Sequence, residues 1–182
     1  MNRLLSCIGA AALVAGACAD GREPAGPTAP TLEQQGQTVD VTTSAARQVE
    51  TSGSFDAIVD FTTLTLTPRG ANCLLTVDGQ LVFTGTIEGT GTGTTSALVF
   101  APCSEVATTP PGTFPDVFKS ELVFEGTVDG EEAQANLLYM GRVQPGGQIE
   151  GRLVFSNGIA GRLEVDAVVA VGGEYHGSVV VK

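Results

Sequence analysis

Five stretches of the chain share one pattern, in which a glycine stands two residues from a large apolar residue on either side. They are residues 83–87 (FTGTI), 124–128 (FEGTV), 149–153 (IEGRL), 159–163 (IAGRL) and 175–179 (YHGSV). Because side chains alternate between the two faces of a β-strand, this spacing puts the apolar residues and the glycine on one face. Glycine inside a strand is typical of a sharp bend. The pattern therefore predicts one-sided antiparallel strands in a curved sheet that closes on itself.

Turn signals separate the strand-like runs. They are Asp78-Gly79, Asp129-Gly130, Pro145 with two glycines, Asn157-Gly158 and Gly172-Gly173. No stretch sustains the apolar period of a helix. Because closure removes exposed sheet edges, we expect an all-β protein, an antiparallel up-and-down barrel of about eight strands over residues 52–182. A barrel of this size is either filled by its own side chains or holds one small ligand.

Loop lengths follow from the requirement that the apolar residues share one face. This requirement favours two residues at Asp129-Gly130, five at 144–148, three at 156–158 and three at 172–174. The third of these loops would place Arg152 opposite Arg162, and Glu150 opposite Glu164. These four charges form a solvated outer ladder or, if the polar face turned inward, would line the lumen.

The beginning of the chain has the features of an export signal. Arg3 precedes a short apolar core and small residues before Cys18, so residues 1–17 are predicted to be a signal peptide. The core is shorter than the roughly 20 apolar residues of a spanning helix. Residues 15–18 (AGAC) are similar to a lipobox, whose cysteine is acylated, and ordinary signal cleavage is the alternative. We expect an exported protein, either lipid-anchored in the cell envelope through Cys18 or secreted, with membrane contact through that anchor only.

Residues 18–51 are rich in Pro, Gly, Thr and Gln, which predicts a flexible tether before the barrel. A weak alternation at Val39 and Val41 would allow a first strand within residues 38–50. In the body of the chain, Cys73 and Cys103 are an even pair in an exported domain, which predicts a disulfide. Two buried thiols are the alternative.

Composition excludes several classes of partner. The formal net charge is −11, and the chain has no Trp and few other aromatic residues. Such a chain lacks the cations and stacking surfaces that nucleic-acid binding needs. Neither body cysteine belongs to a CxxC pair, and the single histidine is His176, so we predict no metal site. No cofactor is predicted, and the sequence does not indicate the oligomeric state.

Residues 83–93 (FTGTIEGTGTG) and 126–130 (GTVDG), followed by Gly-rich terminal hairpins, resemble phrases of a known family. It is the bacterial family of small uncharacterised proteins with an allene-oxide-cyclase-like, or dirigent-like, β-barrel. The resemblance covers residues 81–181. Where the family often has a histidine two residues before a glycine, this chain has Tyr139 before Gly141. The resemblance implies a barrel whose lumen binds or steers a small apolar substrate, without specifying a reaction.

Tyr139 and Tyr175 are the two polar-tipped side chains of the predicted inward face. We predict them to be lumen polar groups that act as hydrogen-bond donors or weak acids. No catalytic residue is identified, since His176 falls on the polar face without a nucleophile motif. The leading hypothesis is a non-enzymatic barrel that binds a small apolar molecule or an envelope partner. The alternatives are a cyclase- or isomerase-type enzyme acting in the lumen, and a structural surface protein with a filled barrel.

Overall fold

The computed structural model describes residues 46–181. Eight antiparallel strands follow one another: β1 (Arg47–Arg69), β2 (Asn72–Gly85), β3 (Ile87–Val99), β4 (Asp116–Val128), β5 (Glu131–Val143), β6 (Gln148–Ser156), β7 (Ala160–Val168) and β8 (Gly172–Val181). Each strand pairs with its neighbours in chain order, and β8 pairs with β1 to close the barrel. The predicted all-β barrel of about eight strands is confirmed.

The one helix among the described residues is α1 (Cys103–Val106), between β3 and β4. No helix within residues 46–181 is long and apolar enough to cross a bilayer.

The barrel begins at Arg47, so residues 47–51, which the sequence pattern assigns to the tether, form the start of β1. Val49 and Thr51 are buried there, opposite Val179 and Gly177 of β8. This pairing joins the two ends of the barrel domain, and the weak local alternation of the sequence does not reveal it. The predicted signal peptide, Cys18 and the tether as far as residue 45 lie outside the described residues, and their assignment stays a prediction.

The two ends of the barrel are built differently. We call the end where β2 passes to β3, and β4 to β5, the closed end, and the opposite end the roofed end. Large side chains fill the closed end and are at most 2% exposed: Phe83, Phe124, Leu153, Phe155, Leu163 and Tyr175. Aromatic rings within this group meet edge to face, and the ring centroids of Phe83 and Phe124 are 5.8 Å apart. Each such burial contributes about 1.5–3 kcal/mol, so the closed end holds much of the core.

Two of the predicted loop lengths are confirmed. Val128 pairs with Glu131 across Asp129-Gly130, and Val143 pairs with Ile149. The β6–β7 register differs from the prediction, since Leu153 lies opposite Leu163 rather than Gly161. The last β6–β7 pair is Phe155 with Gly161, so five residues rather than three lie between the paired positions, and one of them, Ile159, is buried in the core.

The β7–β8 connection also differs, because its three residues are 169–171 and Val168 pairs with Gly172. With both of these changes in strand pairing, the same side chains still point into the barrel.

The expected turn at Asp78-Gly79 is wrong, because β2 continues through it. Asp78 pairs with Asp60 on one side and Thr94 on the other. The Thr94 hydroxyl donates to the Asp78 carboxylate at 2.6 Å. The chain turns instead at Thr86, between β2 and β3. An Asp-Gly pair is thus compatible with a strand when its carboxylate has a partner on the neighbouring strand.

The connection over residues 100–115, which we call the roof, crosses the roofed end. The predicted disulfide is confirmed: Cys73 at the start of β2 is bonded to Cys103, 30 residues further on. At the far side of the roof, the Gly112 carbonyl oxygen accepts a hydrogen bond from the Gly146 N–H at 3.0 Å. Gly112 has a φ of +81°, and a Cβ there would lie 2.7 Å from the Gly147 Cα. Only glycine fits both this conformation and this close approach.

Candidate ligand-binding cavity

A cavity of about 320 Å³ lies beneath the roof, inside the roofed end of the barrel. Its walls are mainly apolar side chains of the inner face, including Phe55, Leu81, Ala97, Phe118, Leu122 and Tyr139. Roof residues, including Val106, Pro110 and Phe114, cover it. Its volume falls at the lower end of the roughly 300–1,000 Å³ range of small-molecule sites. The barrel is therefore packed solid at one end and hollow at the other.

Part of the cavity wall is an irregular stretch of β1. Pairing between β1 and β2 changes register between Asp60 and Thr65. Three apolar side chains around this break line the cavity and are also exposed, by 51% for Ile58, 54% for Phe61 and 36% for Leu64. Exposed apolar side chains that also border a cavity are typical of a binding groove.

The Tyr139 side chain is buried in the cavity wall, with 5% of its surface exposed. Its hydroxyl has no hydrogen-bond partner. The ring packs edge-on against Phe118, with centroids 4.8 Å apart, and against Phe55 at 5.8 Å. A Cβ at Gly151 would lie 3.0 Å from the Tyr139 Cε2 atom, so this glycine makes room for the ring. Burial raises the pKa of the Tyr139 phenol, which keeps it protonated as a hydrogen-bond donor.

Asp116 is a second polar residue of the cavity wall. It is the first residue of β4 and pairs with Val99 and Val143. Its Oδ1 atom is buried without a hydrogen-bond partner, and burial raises the pKa of its carboxyl to about 7. Sequence reasoning missed this residue because the prolines and the glycine that precede it are typical of a loop. The available signal was parity, since Asp116 is in phase with the inward residues Phe118 and Ser120.

A third polar group in the wall is already satisfied. Ser120 lies opposite Tyr139 on the neighbouring strand. Its hydroxyl shares a hydrogen bond of 2.7 Å with the Thr95 hydroxyl. Among the described residues that line the cavity, the buried polar atoms without a hydrogen-bond partner are those of Tyr139 and Asp116.

Tyr175, the other predicted lumen group, is placed away from the cavity. Its hydroxyl, at the closed end, accepts a hydrogen bond from the Ile87 N–H at 3.0 Å. The same oxygen lies 3.2 Å from the carbonyl oxygens of Thr84 and Ile87, to either of which it donates. The structure thus buries both predicted tyrosines but separates them, and Tyr175 serves to hold the turn between β2 and β3.

The charged quartet lies on the outside of the barrel, beside a shallow surface depression of about 550 Å³. Because of the β6–β7 register, Arg152 faces Glu164 rather than Arg162. Arg162 forms an ion pair with Glu164 at 3.1 Å. Exposed pairs of this kind contribute about 0–1 kcal/mol. The quartet is therefore a solvated outer ladder and does not reach the lumen.

His176 is exposed on the outer face, in agreement with its predicted position. Within residues 46–181, no cluster of three or more His, Cys, Asp or Glu side chains is arranged to hold a metal ion.

Comparison with known proteins gives a likeness to a solved structure. No family model matches the chain, and no curated protein matches it. Among solved structures, the chain is similar to a protein of unknown function from the DUF3224 family of Shewanella oneidensis MR-1. The two are 17% identical, with a TM-score of 0.44, over 75% of this chain and 98% of that one.

Proposed function

We propose that this protein is a carrier that binds one small, largely apolar molecule in the cavity at the roofed end. The observation that carries the proposal is the combination of mainly apolar walls with two buried polar atoms that have no protein partner. Apolar pockets with a few convergent polar groups are the usual form of small-molecule sites. The resemblance to the allene-oxide-cyclase-like family supports the same reading, since it implies a lumen that binds a small apolar substrate.

The carrier is tested with the neutral fluorophore N-phenylnaphthylamine, whose emission rises in an apolar site. The parent protein is expected to bind it with saturation. Ala97→Phe places a ring in the cavity wall, where Ala97 is 6% exposed, and is expected to abolish binding. Val123→Phe adds a ring at a side chain that is 56% exposed on the outside, and is the matched control that retains binding. Unchanged binding by a folded Ala97→Phe variant would place the probe elsewhere.

Export and lipid anchoring through Cys18 are part of the proposal. The Cys73–Cys103 disulfide supports export, because structural disulfides persist in oxidising compartments. Mass spectrometry of the mature N-terminus separates the alternatives. A diacylated Cys18 indicates an envelope lipoprotein, and an unmodified N-terminus after an ordinary cleavage indicates a secreted protein.

A second candidate is a cyclase or isomerase that moves a proton within the lumen. Asp116 favours it, because a carboxyl with a pKa of about 7 is near the optimum for acid–base catalysis at neutral pH. Benzylacetone, an apolar ketone, tests this in deuterated water. Deuterium uptake beside the carbonyl that is lost in Asp116→Asn would support the enzyme, and uptake equal to the protein-free rate would reject it for this substrate.

A further inference from the structure

The chemistry of the cavity also restricts which small molecules can bind there, an inference that rests on the proposed carrier function. Among the described residues, Asp116 Oδ1 and the Tyr139 hydroxyl are the buried side-chain oxygens or nitrogens without a hydrogen-bond partner. Both residues line the cavity. An unpaired buried polar group destabilises a protein until something satisfies it. A ligand that brings a polar atom to these two groups therefore gains affinity that a purely apolar ligand cannot.

The two groups belong to the same end of the cavity. Asp116 begins β4 opposite Val143, and Gly141 lies between Tyr139 and Val143 on the inward face of β5. The Tyr139 ring approaches Gly151, which pairs with Gly141. The ring thus reaches from its own position towards the strand ends where Asp116 lies. The polar part of a ligand belongs under the roof, with the apolar body towards Phe55 and Leu81.

The buried part of the lining disfavours a charged ligand of either sign. Among the described lining residues, the other carboxylate is that of Asp78, an exposed residue that accepts a hydrogen bond from the Thr94 hydroxyl. None of the described residues that line the cavity is Lys or Arg, so an anionic head would be buried without a counterion. An ammonium group could pair with an Asp116 carboxylate, but it has no acceptor for the Tyr139 hydroxyl proton. A carbonyl oxygen accepts from Tyr139, and a hydroxyl accepts from one group and donates to the other. Burial favours the uncharged form of both protein groups, since it raises both pKa values.

We infer that the ligand is a neutral molecule with an apolar body and one oxygen-bearing end, a ketone, aldehyde or alcohol, held by Tyr139 and Asp116. The test uses five probes with the same phenylbutyl skeleton: butylbenzene, phenylbutanol, benzylacetone, phenylbutylamine and phenylbutyrate. Calorimetry with the full chain, disulfide formed, should give the alcohol and the ketone about tenfold tighter binding than butylbenzene, which is the effect of roughly one good hydrogen bond. The amine and the carboxylate should bind more weakly than the alcohol.

Two variants make the test specific. Tyr139→Phe is expected to reduce the preference for the alcohol and the ketone over butylbenzene to the part that Asp116 contributes, while leaving butylbenzene unchanged. Tyr175→Phe removes the same atom at the closed end, where the hydroxyl bonds to the backbone, and should preserve the tenfold preference. An unfolding measurement on each variant confirms that it is folded.

The outcomes separate the two proposals. Equal binding of butylbenzene and the alcohol, unaffected by Tyr139→Phe, would overturn the inference about the ligand and leave the carrier intact. Tightest binding of the amine or the carboxylate would overturn its neutrality. Failure of all five probes, together with failure of N-phenylnaphthylamine, would overturn the carrier itself.

Discussion

The closed end and the roofed end of this barrel each bury a tyrosine, and the two tyrosines differ in the hydrogen bonding of their hydroxyl groups. At the closed end, the Tyr175 hydroxyl is surrounded by backbone groups and takes the Ile87 N–H as its donor at 3.0 Å. At the roofed end, the Tyr139 hydroxyl is as deeply buried yet has no partner. Buried polar groups in native proteins are nearly always satisfied. The contrast therefore marks Tyr175 as part of the architecture and supports Tyr139 as part of the proposed binding site.

Side-chain packing also differs between the closed end and the roofed end. Phe83, Phe124 and Phe155 fill the closed end with edge-to-face contacts. At the roofed end, the Tyr139 and Phe118 rings border empty volume instead. One continuous sheet thus encloses both a well-packed core and a cavity.

The largest expected effect comes from unfastening the roof. Replacing both Cys73 and Cys103 by Ala removes a link that closes a loop of 30 residues. The loss in the free energy of unfolding should be roughly 3.5 kcal/mol from loop-closure entropy, measured by urea denaturation. Binding of N-phenylnaphthylamine should weaken as well, because the roof covers the cavity. A stable double variant with unchanged probe binding would show that packing and hydrogen bonds hold the roof without the disulfide.

The next effect tests the closed end. Tyr175→Phe leaves the buried Ile87 N–H without its acceptor. Leaving such a donor unsatisfied costs about 1–3 kcal/mol, so the midpoint of urea unfolding should fall while probe binding persists. A variant as stable as the parent would mean that the hydroxyl contributes nothing to the turn between β2 and β3.

Much of this fold follows from the local pattern, because the alternation of side chains depends on two-residue spacing alone. That pattern predicts the barrel, the inward face and the turn at Asp129-Gly130. It does not predict the β6–β7 register, which depends on burying Ile159 in a core that distant strands build. Asp78-Gly79 likewise reads as a turn until its partners Asp60 and Thr94 are known.

The site is predictable only in part. Tyr139 is found by parity, as a polar-tipped residue among inward apolar ones. Its difference from Tyr175 is not visible in the sequence, since the partners of Tyr175 belong to β2 and β3, about 90 residues away along the chain. Asp116 is hidden by the preceding prolines and glycine, which read as loop. The empty volume of the cavity is bounded by residues of many strands, so no local stretch of the sequence predicts it.

A smaller effect concerns pH at the roofed end. Burial raises the pKa of Asp116 from 3.8 to about 7, so the folded state holds this proton more tightly than the unfolded chain. Its contribution to stability is fully present below about pH 4 and is lost as the pH rises to about 7. Asp116→Asn should match the parent at about pH 4 and exceed it by about 1 kcal/mol at about pH 8, a value reduced for partial exposure. Urea denaturation across this range measures it.

Asp60 provides the control of opposite sign. Hydrogen bonds from the Thr62 hydroxyl and N–H lower the pKa of the Asp60 carboxyl below 3.8. Its contribution to stability is present above that pH and is lost as the pH falls further. Asp60→Asn should therefore alter stability but leave the dependence of the free energy of unfolding on pH unchanged between about pH 4 and about pH 7. If Asp116→Asn kept the slope of the parent in that range, another group would be responsible for it.

The smallest expected effect on stability completes the comparison of the two tyrosines. Tyr139→Phe removes a hydroxyl that has no partner, so the free energy of unfolding should change by less than about 1 kcal/mol, towards greater stability. The same substitution at Tyr175 should destabilise, and because the two rings share no hydrogen-bond partner, the double variant should show the sum of the two effects. A loss at position 139 as large as that at position 175 would mean that its hydroxyl is satisfied in solution, and the cavity would then have Asp116 alone to orient a ligand.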